Sequence, residues 1–283
     1  MPRPSGIVTL TTDFGLSDAY VAQLHAVVLR EYPAARIVDV SHAVPPGSLD
    51  ATLFLTEAAW PHFPPGTVHL VVVDPGVGSD RRIVAIDTGR AFLVGPDTGV
   101  LSSGLADNIR PAAGTAMLPL KSGPAAVDIR ESPLRAERIS ATFHGRDIMA
   151  PVAARLAAGD PLADLGAPID QVAAAAPLAA RIEGGEGDGR ILHIDRFGNA
   201  ISNIRTADAP AAFELALRDA SLAGPAATYR DGVTKTGDRA VVIGGSSGYL
   251  EIAWPNGSAA QRLRLKLGDQ VRIRPRPASP SGR

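Results

Sequence analysis

A carboxylate and a guanidinium stand seven residues apart across a glycine-rich turn in the stretch LVVVDPGVGSDRR, residues 70–82. Asp74 follows a run of apolar residues directly. Arg81 comes after Gly76 and Gly78, so the turn can fold the arginine back beside the aspartate. Such a pair can hold a polar ligand in a site, or it can be an ordinary structural ion pair. The stretch alone leaves both interpretations open.

The apolar run before Asp74 is typical of a strand that is buried on both faces, as in a parallel sheet. Pro75 cannot donate a hydrogen bond to a central strand, so we expect the strand to end at Asp74. Open α/β sheets bind their ligands at the carboxyl ends of such strands. The position of Asp74 therefore favours a functional site.

Other acids and one histidine lie in similar places. Asp13 follows the short β run Ile7–Leu10, and Asp18 precedes a helical pattern. Asp97 lies in another turn. His144 lies in a loop before a predicted helix, where it is either presented to a site or is simply a hydrogen-bonded loop residue.

The elements that must position these residues alternate between strand and helix, which indicates a βαβ sheet. Helical spacing of apolar residues predicts three helices, and short β-branched runs predict the strands between them. The predicted helices are Ala19–Tyr32, Ala51–Trp60 and Ile148–Ala158; the strands are Ile7–Leu10, Ile37–Val40, Val68–Val73, Ile83–Asp87 and Ala91–Val94.

The pattern changes over Gly159–Gly189, where proline, alanine and glycine dominate before a series of short β runs. We predict an α/β N-terminal domain with a mainly parallel sheet, and a smaller C-terminal domain that is an antiparallel β-barrel. The predicted boundaries are 1–170 for the α/β domain, 171–188 for a linker, 189–274 for the barrel and 275–283 for a disordered tail.

Composition excludes several classes of function. The net charge of -1 gives no electrostatic basis for binding nucleic acid or an anionic membrane. There is no cysteine, no HExxH motif and no closely spaced histidine pair, so we expect no metal in the catalytic site. The chain has no apolar run of the roughly 18 residues that span a bilayer, and no signal-peptide pattern. By elimination, we expect a cytoplasmic protein.

Five motifs in order resemble the S-adenosyl-L-methionine (SAM) hydroxide adenosyltransferases, the SAM hydrolases that form adenosine and methionine. This family is related to the fluorinating and chlorinating enzymes that act on the same substrate. The resemblance covers nearly the whole chain and rests on TTDFG (11–15), VVDPGVG (72–78), FHGRDIMAP (143–151), DRFGNAISNI (195–204) and SSGYLEIA (246–253).

The resemblance implies roles for individual residues. Asp74, Arg81 and His144 match the set that handles the nucleophilic water in this family. Asp13 matches the aspartate that holds the ribose hydroxyls. The other substrate-binding candidates are Asp18, Asn199, Ser246, Ser247 and Glu251. The resemblance also implies a homotrimer with sites at subunit interfaces, and no cofactor, since SAM is the substrate.

The implied reaction is an SN2 attack of water on the 5′ carbon of the ribose. Methionine leaves as a neutral thioether and needs no general acid. The difficulty lies in the nucleophile, because bulk water has a pKa near 15.7. Arg81 would favour developing hydroxide charge, His144 would accept or orient a proton, and Asp74 would hold both. A carboxylate beside the nucleophile also argues against a halide in its place.

Two other functions remain open from the residues. The acids Asp13, Asp18, Asp74 and Asp97 could gather a divalent ion in a metal-dependent nucleoside hydrolase. Alternatively, the protein could be a non-catalytic sensor of SAM or adenosine, with Asp74 and Arg81 as a structural pair.

Overall fold

The computed structural model describes residues 3–120, 124–234 and 237–276. The chain forms two compact units, residues 1–177 and 178–283. No helix within the described ranges has the length and apolar character needed to cross a membrane.

The first unit is an α/β domain, as predicted. Its helices are α1 (Tyr20–Glu31), α2 (Leu49–Ala59) and α3 (Ala150–Ala158). Its strands are β1 (Ile7–Thr12), β2 (Arg36–Ser41), β3 (Val68–Val72), β4 (Ile83–Asp87), β5 (Phe92–Pro96), β6 (Thr115–Pro119), β7 (Ala125–Asp128), β8 (Ala167–Ile169) and β9 (Gln171–Ala175).

Seven of these strands form one sheet in the order β2-β1-β3-β5-β4-β7-β8. The pairs from β2 to β5 are parallel, and the pairs beyond β5 are antiparallel. The sheet therefore contains a parallel half, which carries the candidate site, and an antiparallel extension.

Strand β3 is buried on both faces, which explains its uninterrupted apolar sequence. Leu70 and Val72 pack into the core that contains α1 and α3. Val71 and Val73 point to the opposite face and pack with Trp60, which follows α2. The helices on both faces fix β3 as a rigid central element.

The segment 171–188, which the sequence pattern assigned to a linker, contains regular structure. Strand β9 pairs antiparallel with β6 along its whole length, from Thr115 opposite Ala175 to Pro119 opposite Gln171. Alanine is a poor strand former. The strand therefore forms because it pairs with β6 and is buried, and not because of the intrinsic β propensity of its residues.

The second unit is an antiparallel, nearly closed barrel, as predicted. Its sheet order is β13-β12-β16-β10-β11-β15-β14, and the Ala226 N–H donates to the Val242 carbonyl near the gap. Its elements are β10 (Gly187–Ile194), β11 (Ala200–Arg205), β12 (Phe213–Ala216), β13 (Ser221–Gly224), β14 (Val241–Gly244), β15 (Tyr249–Ala253), α4 (Ala259–Arg262) and β16 (Gln270–Pro275). Of the predicted tail, residues 277–283 lie outside the described residues.

Candidate active site

The carboxyl ends of β1 and β3 lie side by side. The two strands are parallel neighbours, with Thr12 opposite Val72. Asp13 is the first residue after β1, and Asp74 follows Val73 at the end of β3. Two sequence-predicted site residues are thus brought to the same edge of the sheet, where open α/β sheets bind ligands.

Asp74 and Arg81 form a buried, bidentate ion pair. Arg81 Nε donates to Asp74 Oδ1 at 2.5 Å, and Arg81 Nη2 donates to Asp74 Oδ2. Their side chains are only 5% and 9% exposed. The paired geometry holds the guanidinium in one orientation.

The turn between the two residues makes this pairing possible. Ser79 closes it, with both its N–H and its hydroxyl donating to the Gly76 carbonyl. A Cβ at Gly76 would lie 3.0 Å from Arg81 Cδ. A side chain at that position would push the arginine away from Asp74.

His144 completes a chain of three polar side chains. Its Nδ1 lies 3.3 Å from Arg81 Nη1 and 3.2 Å from Nη2. A guanidinium can only donate, so Nδ1 accepts and the ring is the neutral tautomer with its proton on Nε2. Burial lowers the pKa of His144 below its ordinary value and the Arg81 charge lowers it further, against the opposing effect of Asp74 and Asp147. The imidazole is therefore neutral at pH 7.

A tight turn against β3 places this histidine. His144 precedes a single π-helical turn, Gly145–Met149, that leads into α3. A Cβ at Gly145 would lie 2.5 Å from Cγ1 of Val72, so only glycine allows the turn to approach the strand this closely. Turns of this kind are frequent at functional sites.

Asp147, which sequence reasoning did not single out, holds the loop that carries His144. Its buried carboxylate accepts the Ser140 N–H at 2.8 Å and Arg146 Nε at 2.6 Å. Arg146 Nη1 in turn donates to Gln23 of α1. The only sequence signal for this role was the position of Asp147 inside the FHGRDIMAP motif.

Asp13 is half-buried, and its carboxylate makes one hydrogen bond to the described residues. Its Oδ2 accepts the Gly47 N–H at 2.9 Å. A Cβ at Gly47 would lie 3.4 Å from Pro75, the residue after Asp74, so the 44–48 loop links the two strand ends. An ionised carboxylate has about four acceptor positions, and Gly47 uses one. Asp18 is exposed and accepts a bond from Ser17 at 3.4 Å, which gives it no fixed place in the cluster.

Arg82, the neighbour of Arg81, belongs to a separate pair. Its Nε donates to Asp97 Oδ2 at 2.8 Å, and Asp97 Oδ1 accepts the Ala173 N–H of β9. Asp74 and Asp97 are thus each neutralised by an arginine. That arrangement does not favour a cation among the acids that the metal-dependent alternative requires.

In the second unit, Asn199 lies in a loop organised by Asp195. The Asp195 carboxylate accepts the N–H groups of Phe197 and Asn199 at 2.9 Å and the Asn199 side-chain amide at 3.0 Å. Phe197 is 78% exposed. Phe197 and Asn199 line a groove of 580 Å³ together with Tyr229 and Trp254. Aromatic walls with a few polar groups suit a planar heterocycle.

Glu251 is buried on β15 and accepts a hydrogen bond from Tyr229 at 2.8 Å. Burial raises the pKa of Glu251, and this hydrogen bond raises the pKa of Tyr229 to about 12. Tyr229 was missed by sequence reasoning because only the fold brings it to Glu251. Ser246 and Ser247 lie in the turn between β14 and β15.

A guanidinium can stabilise the negative charge that develops on an attacking water, and a neutral imidazole beside it can accept the proton of that water. The cluster of Asp74, Arg81 and His144 therefore has the parts needed to activate water. Among the described residues, the group with metal-binding geometry is His25, Asp39 and His42, and none of these belongs to that cluster.

Comparisons with known proteins identify the family. Residues 8–166 match the model of the SAM hydroxide adenosyltransferase N-terminal domain, and residues 189–272 match that of the C-terminal domain. Proteins named (R)-S-adenosyl-L-methionine hydrolase from Salinispora arenicola and Thermus thermophilus are each 39% identical. The alignments cover 94% of this chain and 97% and 98% of theirs. A fluorinase from an Actinoplanes species is 28% identical over 94% of this chain and 97% of its own.

Solved structures share the fold. An uncharacterized conserved protein from Thermotoga maritima has a TM-score of 0.79 and 32% identity, over 94% of this chain and 99% of its own. A conserved hypothetical protein from Thermus thermophilus has a TM-score of 0.70 and 34% identity, over 96% of this chain and 100% of its own. The chain belongs to the SAM hydroxide adenosyltransferase family.

Proposed function

We infer that this protein is an enzyme that hydrolyses SAM to adenosine and L-methionine. Membership of the family and the activity named for its relatives support this function. The observation that carries it is the polar chain in which Arg81 is held by Asp74 and donates to the neutral His144. The relatives are named for the (R) form, so we propose that the (R) sulfonium epimer is the substrate.

The reaction we propose is a displacement at the 5′ carbon. A water oxygen forms the new C–O bond while the C5′–S bond breaks and its electron pair returns to sulfur. Methionine leaves as a neutral thioether, and the proton of the attacking water passes to His144 and then to solvent. No cofactor is required, because SAM is itself the electrophile.

In this mechanism Arg81 and His144 share the attacking water. The guanidinium stabilises hydroxide character as it develops. The lone pair on His144 Nδ1, which now accepts from Arg81, becomes the proton acceptor when water lies between the two groups. Asp74 fixes the guanidinium and balances its charge. In-line positioning of this water can contribute roughly 7–11 kcal/mol to lowering the barrier.

Substrate binding is assigned to the remaining candidates. Asp13 has free acceptor positions for the two ribose hydroxyls. We propose that the groove lined by Phe197 and Asn199 receives the base, and that Glu251 acts there by orienting Tyr229. Asp18, Ser246 and Ser247 remain proposed contacts on exposed or turn positions.

We also propose that the protein is a cytoplasmic homotrimer with sites at subunit interfaces. The test of assembly is complementation between two inactive variants, Asp74→Ala and Asn199→Ala. Mixed trimers should regain activity if the two residues act from different subunits. Absence of rescue after demonstrated subunit exchange would place both in one chain.

The function itself is tested by chromatography of SAM after incubation with purified protein, using each sulfonium epimer separately. We expect adenosine and methionine in equal amounts with wild type, no halogenated nucleoside in chloride, and little product with His144→Asn. Intact SAM would instead indicate the sensor. Release of adenine, lost on adding a chelator, would indicate the metal-dependent nucleoside hydrolase.

A further inference from the structure

We propose that His25, Asp39 and His42 bind one divalent transition-metal ion, with Zn²⁺ as the best fit. Asp39 lies on β2, His42 in the loop after it, and His25 on α1. Their ligand atoms all lie within 4.8 Å of one another. The two histidines are 17 residues apart in the chain, so only the packing of α1 beside β2 brings them together.

The distances match a metal site with small adjustments. His25 Nε2 lies 2.8 Å and His42 Nε2 lies 3.1 Å from the same carboxylate oxygen, Asp39 Oδ1. Ligands bound to zinc at about 2.0–2.1 Å in a tetrahedron are about 3.3 Å from one another. These two contacts need to open by only about 0.2–0.5 Å to reach that spacing, and the two histidine nitrogens already lie within 4.8 Å of each other.

His42 supplies an independent observation. Its side chain is only 4% exposed, and its Nδ1 lies 2.9 Å from Thr12 Oγ1. Its Nε2 faces Asp39 but lacks the alignment of a hydrogen bond, and it has no other hydrogen-bond partner among the described residues. An unsatisfied buried polar atom costs about 1–3 kcal/mol. A metal on Nε2 removes that deficit.

The ligand types determine which ion fits. Two imidazoles with one carboxylate favour zinc and its transition-metal neighbours over Mg²⁺ and Ca²⁺, which prefer all-oxygen sites. Asp39 and His25 are 40% and 32% exposed, so the ion can enter from solvent and keep a water as fourth ligand.

Metal binding would brace the loop that carries Asp13. With Nε2 on the metal, the Nδ1–H of His42 donates to Thr12 Oγ1, the usual arrangement around a metal-bound histidine. The His42 carbonyl also accepts the Gly15 N–H at 2.7 Å. Thr12 and Gly15 lie on either side of Asp13 within the TTDFG motif. This site is distinct from the proposed catalytic cluster, and its test does not depend on activity.

The experiment is titration of tag-free protein with Zn²⁺ by calorimetry, and with Co²⁺ by visible absorption. We expect one zinc per chain, and the strong d–d bands of tetrahedral cobalt. Removing an outer-sphere partner of a ligand typically costs 10–100-fold in affinity. His25→Asn and Asp39→Asn remove ligands and should lose at least about 100-fold. His62→Asn, which changes an exposed histidine outside the cluster, is the matched control and should bind as wild type does.

Binding of zinc by His25→Asn with wild-type affinity would overturn the proposal. So would the absence of zinc binding, or of tetrahedral cobalt bands, in wild-type protein. A negative wild-type result overturns the proposal even if a variant fails to fold, and one folded ligand variant is enough to test the location of a site that wild type shows. Loss of affinity in both ligand variants, with retention in His62→Asn, supports it.

Discussion

Replacing Asp74 with asparagine separates the chemistry of the Asp74–Arg81 pair from its contribution to stability. The carboxamide has the shape of the carboxylate but no charge. Its oxygen can still accept from Arg81 Nε, while its NH₂ group faces Arg81 Nη2, so two donors meet where the second hydrogen bond was. The arginine, only 9% exposed, is left without its counter-charge.

The size of the effect follows from that burial. Breaking a buried ion pair by removing one partner costs about 3–5 kcal/mol, because the remaining charge is uncompensated. For a unit of 177 residues, this lowers the melting temperature by roughly 6–20 °C. The freed guanidinium no longer holds the water beside His144, so kcat should fall by about 10²–10⁴.

Asp97→Asn is the matched control, because Asp97 is a buried carboxylate paired with a neighbouring arginine, Arg82, whose side chain is 25% exposed. Both variants should melt earlier, as measured by circular dichroism, but only Asp74→Asn should lose turnover of SAM. The rates are measured well below both melting temperatures. If Asp97→Asn lost as much activity as Asp74→Asn, the loss would reflect the fold, and the assignment of Asp74 to the chemistry would be wrong.

Three further predictions concern other residues of the site. His144→Asn should lower kcat by about 10²–10⁴. Burial and the Arg81 charge lower the His144 pKa below its ordinary value of 6.5, so the acid limb of kcat/KM should have its midpoint below pH 6.5, where the imidazole becomes protonated. The variant should lack that acid limb. Gly145→Ala should push the turn from Val72 and lower kcat by about 10² with adenosine affinity nearly unchanged, since a misplacement of about 1 Å costs that much. Asp13→Ala should chiefly weaken adenosine binding, measured by calorimetry, because it removes acceptors for the ribose.

Each of these predictions has an outcome that contradicts it. If the pH profile of kcat/KM kept its acid limb in His144→Asn, the titration of a group other than His144 would cause that limb. A Gly145→Ala variant with full activity would mean that Val72 can give way without moving His144. If Asp13→Ala lowered kcat but left adenosine affinity intact, Asp13 would act on the reaction rather than on the ribose.

The sequence was most informative around Asp74, where a buried strand is followed directly by a turn that carries two opposite charges. The valines before Asp74 predicted a strand covered on both faces, and β3 has this environment. The spacing of Arg81 across a glycine turn predicted that the two charges meet, and they do. Both features depend on residues that are close in the chain, so short-range rules were sufficient.

Features built by distant contacts escaped sequence reasoning. Strand β9 is an alanine-rich segment whose strand character comes from pairing with β6. Tyr229 meets Glu251 across 22 residues, and His25 meets His42 only because α1 packs beside β2. No periodicity or spacing in the sequence marks such pairs, because packing of the folded chain creates them.

The central claim is that water attacks the 5′ carbon of SAM, and the direct test is the reaction in ¹⁸O-labelled water with mass spectrometry of the nucleoside product. We predict adenosine with one heavy oxygen, located at the 5′ position by fragmentation, and unlabelled methionine. Adenine with a label on the ribose, or adenosine without label, would contradict attack at that carbon.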